Sequence, residues 1–281
     1  MNLAILPYIT PLAVASLIYV WLGVVAWRNR DESVAGAFGG VILSCLEWTI
    51  TYALELMAPD LQSKLFWANA QFLGISFLPI FWLLLVLRIT GRHKPPVVIT
   101  GLMVSIAIAT SVLAWTGEWH QLFRINPTLD TTSHSIALVN ANYGPWQYLV
   151  HIPFFFGTFA FSVVLLYDSF RTAGPLFRRQ YAVVAVSSIL PLAGGALYSV
   201  GIPPFVNWNP ATSFLTVSAL MLAFARLRLG LFQLIPFART ALIENMTDSV
   251  IVLDEKSAWW TRIQRRSGRS RFKARKSTAS P

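Results

Sequence analysis

Seven stretches of this chain are each roughly 20 residues long and nearly free of charge, the length a helix needs to cross a bilayer. They run at about 4–27, 34–57, 66–88, 97–115, 146–167, 181–201 and 209–229. In lipid, backbone polar groups must be satisfied within the segment, and at this length only a helix does that. The reading is therefore an all-α membrane protein, a seven-transmembrane helix bundle. The first stretch has no basic leader and no small-residue cleavage site, so it is expected to be retained as a helix.

Composition supports this. The chain is 55% hydrophobic and 12% charged, with mean hydropathy +0.57, against roughly 25% charged for a soluble domain. Eleven Trp and 19 Phe suit a chain that meets two membrane interfaces. The net charge of +10 suggests nucleic acid until its distribution is seen. Residues 1–255 hold 13 Lys/Arg and 12 Asp/Glu, whereas residues 256–281 hold nine Lys/Arg and no acid. The basicity belongs to the tail, whose expected partner is the anionic surface of the lipid bilayer and not nucleic acid. The single Cys45 lies in an apolar run and offers neither a disulfide nor a Cys-based metal site.

Orientation follows from the short connections, because Lys and Arg accumulate on the cytoplasmic side. The odd-numbered connections carry Arg28, Arg30, Arg88, Arg92, Lys94, Arg171, Arg178 and Arg179, and the last helix exits through Arg226 and Arg228. The even-numbered ones carry only Lys64 and Arg124. This places the N-terminus outside and the C-terminus in the cytoplasm. The one long connection, 116–145, is then an extracytoplasmic loop. Within it SIALVN reads as a short strand, and Asn126-Pro127 and Tyr143-Gly144-Pro145 read as turns, so a folded loop over the outer mouth is expected.

Polar groups within the spans mark where function could lie, since a charge near the bilayer centre costs a few kcal/mol or more. The second span carries Glu47 and Glu55, and Glu55 shares a face with Trp48 and Tyr52. The third presents Trp67, Gln71, Gly74 and Leu78 as a stripe, with Asn69 nearby and Pro79 as a kink. The fifth opens with YGPWQYLVHIP, placing Tyr148 and His151 below the outer surface, and Asn209-Pro210 opens the seventh. Candidate ligand contacts are Glu47, Trp48, Tyr52, Glu55, Trp67, Gln71, His151 and Asn209. A second reading stands beside this one, in which Glu55, Gln71 and Asn209 hydrogen-bond between helices and the aromatic residues anchor the interface.

Other chemistries find little support. Glu118, His120, Asp130 and His134 share the outer loop without the spacing of a metal motif. The seventh span has no Lys for a retinal Schiff base. No phosphate loop, cofactor motif or nucleophile–base pair appears, so no catalytic residue is expected. A transporter using Glu47 as its coupling carboxylate is the alternative to a receptor, although no repeat relates the two halves.

WTITYALEL, KLFWANAQFLGISFLPIFWLLL, FRRQYAVVAVSSILP and NWNPATSF followed by ARLRLGLFQLIPFARTALIENMTDSVIVLDE resemble, in that order, the N-terminal seven-transmembrane sensor region of prokaryotic histidine kinases. The resemblance covers about residues 1–245 and places Trp48, Tyr52, Glu55, Trp67, Gly74, Pro79 and Pro210 on its motif positions. The seventh-span motif often has an acid where Asn209 stands, and Glu47 is an addition. It implies a multi-pass protein of the prokaryotic plasma membrane that senses an unknown small molecule, often as a homodimer. Such a region normally precedes a PAS domain and then a kinase, or sometimes a diguanylate cyclase.

On that reading residues 1–229 form the sensor and 230–242 a signalling linker helix. Arg226, Arg228 and Pro236 transmit the signal, and 243–256 resembles the start of a PAS domain. Residues 257–281 are expected to form a disordered basic tail. One choice of codons for residues 257–266, read one base earlier, spells ERVVDANPAA, as a PAS domain would continue. The expectation is a truncated or frameshifted product without the phosphoacceptor and ATP-binding modules.

Overall fold

The structure is a computed structural model and describes residues 5–30, 34–130, 138–200, 210–229, 251–254, 257–262 and 274–276. It separates into two compact units, Met1–Phe232 and Gln233–Pro281.

The first unit is a helical bundle. Its long helices are α1 (Leu6–Arg28), α2 (Ala35–Met57), α3 (Leu61–Ile89), α4 (Val97–Trp115), α6 (Ile152–Thr172), α7 (Pro175–Val200) and α8 (Pro210–Leu229), with a four-residue α5 at Gly117–His120. One π-helical turn, Gln147–His151, leads into α6. Six helices among the described residues are long and apolar enough to cross a membrane, and the seventh expected span coincides with α8. α1 packs on α2 and α8, α2 on α3, α3 on α6, α6 on α7 and α7 on α8, which closes a ring.

α4 stands outside the ring against α3. Its buried residues are Ala107, Thr110, Ser111 and Ala114, a stripe of small side chains at helical spacing. Such a stripe lets two helices approach closely in lipid. Around the rest of α4, Val97, Leu102, Ile108 and Val112 are exposed. An apolar face of that extent suits hydrocarbon, not water.

The α2–α3 turn is fixed by two charged residues. Asp60 caps α3 by accepting hydrogen bonds from the Ser63 backbone amide at 2.9 Å and the Ser63 hydroxyl at 2.8 Å. The amide first, and the hydroxyl second, hold its carboxyl below the usual carboxylate range. Lys64, only 2% exposed, donates from Nζ to the carbonyls of Glu55 at 2.8 Å and Leu56 at 3.3 Å. These are among the last carbonyls of α2, where a helix end favours a cation. Because Asp60 caps the helix, α3 begins at Leu61, earlier than the apolar pattern alone indicates.

The α2–α3 seam is close because of Gly74. A Cβ there would lie 2.5 Å from the Ser44 carbonyl oxygen and collide with Glu47 Oε2. At the far side of the ring, α1 and α8 exchange hydrogen bonds. Tyr19 Oη donates to the Leu215 carbonyl at 2.9 Å, and Thr216 Oγ1 donates to the Pro11 carbonyl at 3.0 Å.

The long connection folds as an antiparallel hairpin, β1 (Arg124–Asp130) with β2 (Leu138–Tyr143). The Asn126-Pro127 pair, expected as a turn, lies inside β1. There Asn126 adopts φ 44° and the register slips between Ile125 and Thr128, because Pro127 has no amide hydrogen to give the ladder. Gly144 follows β2 and packs directly on the Gln121 and Leu122 carbonyls, leaving no room for a Cβ. The hairpin is seated through Phe123, fully buried, whose ring meets Phe72 edge to face at 4.6 Å.

The second unit contains a three-stranded antiparallel sheet, β3 (Ile251–Asp254), β4 (Ser257–Arg262) and β5 (Ala274–Lys276). The expectation of a structureless tail is not met at β4 and β5. β4 pairs Leu253 with Trp260 and Val252 with Thr261. Aromatic and β-branched residues favour a strand, and this outweighs the basic composition that argued for disorder.

Candidate functional site

A cavity of about 90 Å³ opens among α2, α3, β2, the π-helical turn, α6 and α7. It lies at the end of the bundle that carries the α2–α3 turn and the hairpin. Among the described residues no Asp, Glu, Lys or Arg lines it, and seven of the twelve that do are Trp, Tyr or Phe. That mixture of aromatic walls and a few polar groups suits a small organic molecule.

Three wall residues hold a buried polar atom with no hydrogen-bond partner among the described residues: Trp48 Nε1, Gln147 Oε1 and His151 Nδ1. The residues are 5%, 9% and 3% exposed. A buried polar group left unpaired costs about 1–3 kcal/mol, so three around one cavity are not expected from packing alone. The local backbone brings two of these residues to the same wall. The π-helical turn adds one residue per turn at the head of α6, and such turns recur at functional sites. It buries both Gln147 and His151 in the bundle, while Tyr148 between them stays half exposed.

Of the eight residues expected to meet a ligand, Trp48 and His151 line this cavity. The others have different surroundings. Glu55 accepts a short hydrogen bond from Gln71 Nε2, so these two residues do tie α2 to α3. Glu47 accepts from the Gly74 backbone amide at 2.8 Å. Its carboxylate is held in the α2–α3 seam, and Glu47 lines neither this cavity nor the one below it. Tyr52 is buried without lining either cavity. Trp67 is half-buried and stacks edge to face on its neighbour Phe66 at 5.0 Å. Asn209 lies outside the described residues.

Tyr143, Tyr198 and Gln147 were not among the candidates, and the structure adds them. The Tyr143 and Tyr198 hydroxyls meet at 3.4 Å, joining the hairpin to α7 across the cavity rim. Gln147 carried a readable signal, an amide four residues before His151 at the head of an apolar helix. The two tyrosines carried none, because hairpin and α7 meet only in three dimensions.

Arg124 closes the same end of the bundle. Its guanidinium donates to Asn69 Oδ1 and, at 3.1 Å, to the Ala68 carbonyl, and it lies 5.6 Å from the centres of the Phe72 and Phe123 rings. The hairpin is thereby fastened to α3 by one cation. His120 is committed locally, with Nε2 at 2.9 Å from the Thr116 hydroxyl and Nδ1 accepting from the Leu122 amide at 3.0 Å. Among the described residues no cluster of His, Cys, Asp or Glu is arranged to hold a metal.

A second, narrower cavity of about 30 Å³ lies deeper, among α1, α2, α3, α6, α7 and α8. It shares Trp48 and Phe155 with the first. At the opposite end of the bundle, Gln180 Nε2 of α7 donates to the Leu229 carbonyl at 2.5 Å, and the Tyr181 hydroxyl donates to the Ile89 carbonyl at 3.4 Å. α7 thus ties the last turns of α3 and α8 together. Arg226 and Arg228 fall in that last turn of α8, and Pro236 lies outside the described residues.

Comparison with known proteins agrees with this architecture. No curated protein matched the chain. Residues 11–236 match the family described as the N-terminal 7TM region of histidine kinase. That span takes in the bundle, the hairpin and both cavities. This membrane protein belongs to the family of N-terminal seven-transmembrane regions of histidine kinases.

Proposed function

We propose that the chain is a sensory input region. It takes a small-molecule ligand into the aromatic cavity from the extracytoplasmic side and transmits occupancy through α8 toward cytoplasmic modules. The observation that carries this reading is the set of unpartnered polar atoms on Trp48, Gln147 and His151 around one cavity. A ligand that pairs them binds one arrangement of the bundle better than another and shifts the population between them. The charge asymmetry of the connections supports an outward-facing hairpin end and a cell-membrane location. The α7 contacts to the last turns of α3 and α8 supply a route, because a shift of α7 at the cavity changes what Gln180 can hold at Leu229. The strand Ile251–Asp254 would belong to the opening of a PAS module on the receiving side.

Fusing residues 1–255 to an intact kinase from a similar protein tests this. Autophosphorylation should change when ligand mixtures are applied, and the change should be lost on Gln147→Ala or His151→Ala. If no condition alters phosphorylation, the sensory reading fails. A transporter reading would need Glu47 to alternate between two sides of the membrane. The hydrogen bond from Gly74 and the lack of room for a Cβ there argue for a fixed carboxylate.

A further inference from the structure

We propose that the ligand of this site is an uncharged amphiphile, with a hydrogen-bonding head in the outer cavity and an apolar tail in the deeper one. The proposal rests on the sensory reading above and names the chemistry of its ligand.

The head follows from the outer cavity. Trp48 Nε1 is a donor, Gln147 Oε1 an acceptor, and His151 Nδ1 is either, according to the tautomer. A partner for all three has both a donor and an acceptor, as an amide, a lactam or a hydroxy ketone does. A charged head is disfavoured, because among the described residues no Asp, Glu, Lys or Arg lines the wall and a buried unpaired ion is costly.

The tail follows from the deeper cavity, whose polar residues are mostly committed elsewhere. Ser187 and Ser188 donate to the Val184 carbonyl, and Ser218 donates to the Phe214 carbonyl, each within its own helix. Trp82 Nε1 and the shared Trp48 Nε1 are the wall atoms there without a partner among the described residues. The rest of the lining is largely aliphatic and aromatic, which suits a hydrocarbon chain. The two cavities share Trp48 and Phe155, so these side chains form the partition that a chain attached to a head above has to part.

This division also separates binding from signalling. Among the described residues, α8 contributes Leu215, Ser218 and Leu222 to the deeper wall and none to the outer one. The head therefore confers recognition, and only the tail reaches the helix that leads to the cytoplasmic side.

The test uses the full chain in lipid nanodiscs with 8-bromooctanamide, whose terminal bromine quenches tryptophan on contact. Quenching should contain a saturable component above the linear part that comes from amide dissolved in lipid. Gln147→Ala and His151→Ala should each weaken the saturable component by about three- to tenfold, as expected for one lost hydrogen bond. Trp82→Phe should reduce its amplitude with little change in midpoint, since it removes a fluorophore beside the tail. The carboxylate 8-bromooctanoate should show only the linear part. Circular dichroism matching the parent chain shows that each variant is folded. Purely linear quenching, or equal saturable binding of amide and carboxylate, overturns the proposal. The kinase fusion keeps the two readings apart. Saturable binding with unchanged autophosphorylation leaves the ligand class standing and removes the sensory role. A responsive fusion that ignores the amide does the reverse.

Discussion

Gly74→Ala is the sharpest test of how α2 and α3 are joined. The new Cβ would meet two atoms of different kinds. Glu47 Oε2 sits at the end of a flexible side chain and can turn away, but the Ser44 carbonyl oxygen, 2.5 Å from the Cβ, belongs to the α2 backbone. The seam has to open, and the hydrogen bond from the Gly74 amide to Glu47 goes with it. Overpacking costs about 1–3 kcal/mol and a lost hydrogen bond to a carboxylate about 1.5–3 kcal/mol. The better helix propensity of Ala returns about 1 kcal/mol, so the expected loss is about 1.5–5 kcal/mol. Gly157→Ala is the control, because a Cβ there meets nothing within 4 Å. It should be neutral or slightly stabilising. Reversible unfolding in mixed micelles, followed by circular dichroism, reads both. Adding Glu47→Ala to Gly74→Ala should restore only part of the loss, since the Ser44 carbonyl stays in place. If Gly74→Ala unfolds together with Gly157→Ala, the close seam is not what holds these helices.

Lys64→Met keeps the length of the side chain and removes the donors to the Glu55 and Leu56 carbonyls. Unfolding in mixed micelles should show a loss of about 1–3 kcal/mol. Asp60→Ala should lower the melting temperature at neutral pH by removing the cap on Ser63. Because the folded carboxyl is held below its usual range, its contribution is complete above the ordinary carboxylate value and is lost as pH falls through the depressed one. The difference between wild type and Asp60→Ala should therefore shrink in acid. A difference that grows in acid refutes the capping argument. Arg92→Ala removes an ion pair with Asp168 whose side chains are 39% and 67% exposed, and it should change stability by less than about 1 kcal/mol in a melt at physiological salt.

Much of the site's framework was legible in the chain because one physical rule dominates it. Segments that cross hydrocarbon must be long, apolar and helical, so the spans and their order could be read directly, and α2, α4 and α8 begin within a residue of the expected positions. Polar residues stood out against that background for the same reason. What each one touches could not be read. Glu55 and Gln71 looked equally fit for a ligand or for each other, and the structure pairs them. Glu47 looked like a free intramembrane charge, yet a backbone amide from the facing helix occupies it. Lys64 counted only as an exception to the charge asymmetry, and it proves to be the cap of α2.

The sequence by itself determined that this is a membrane bundle of about seven helices with a long connection on one side, because hydrophobic length is a local property. It also marked Trp48 and His151. Only the tertiary structure decided that these two share a cavity with Gln147, Tyr143 and Tyr198. It alone placed α4 outside the ring and brought α8 beneath the deeper cavity. The physical reason is that lipid fixes which residues may lie in the membrane, whereas small-residue seams such as Gly74 on Ser44 fix which helices meet.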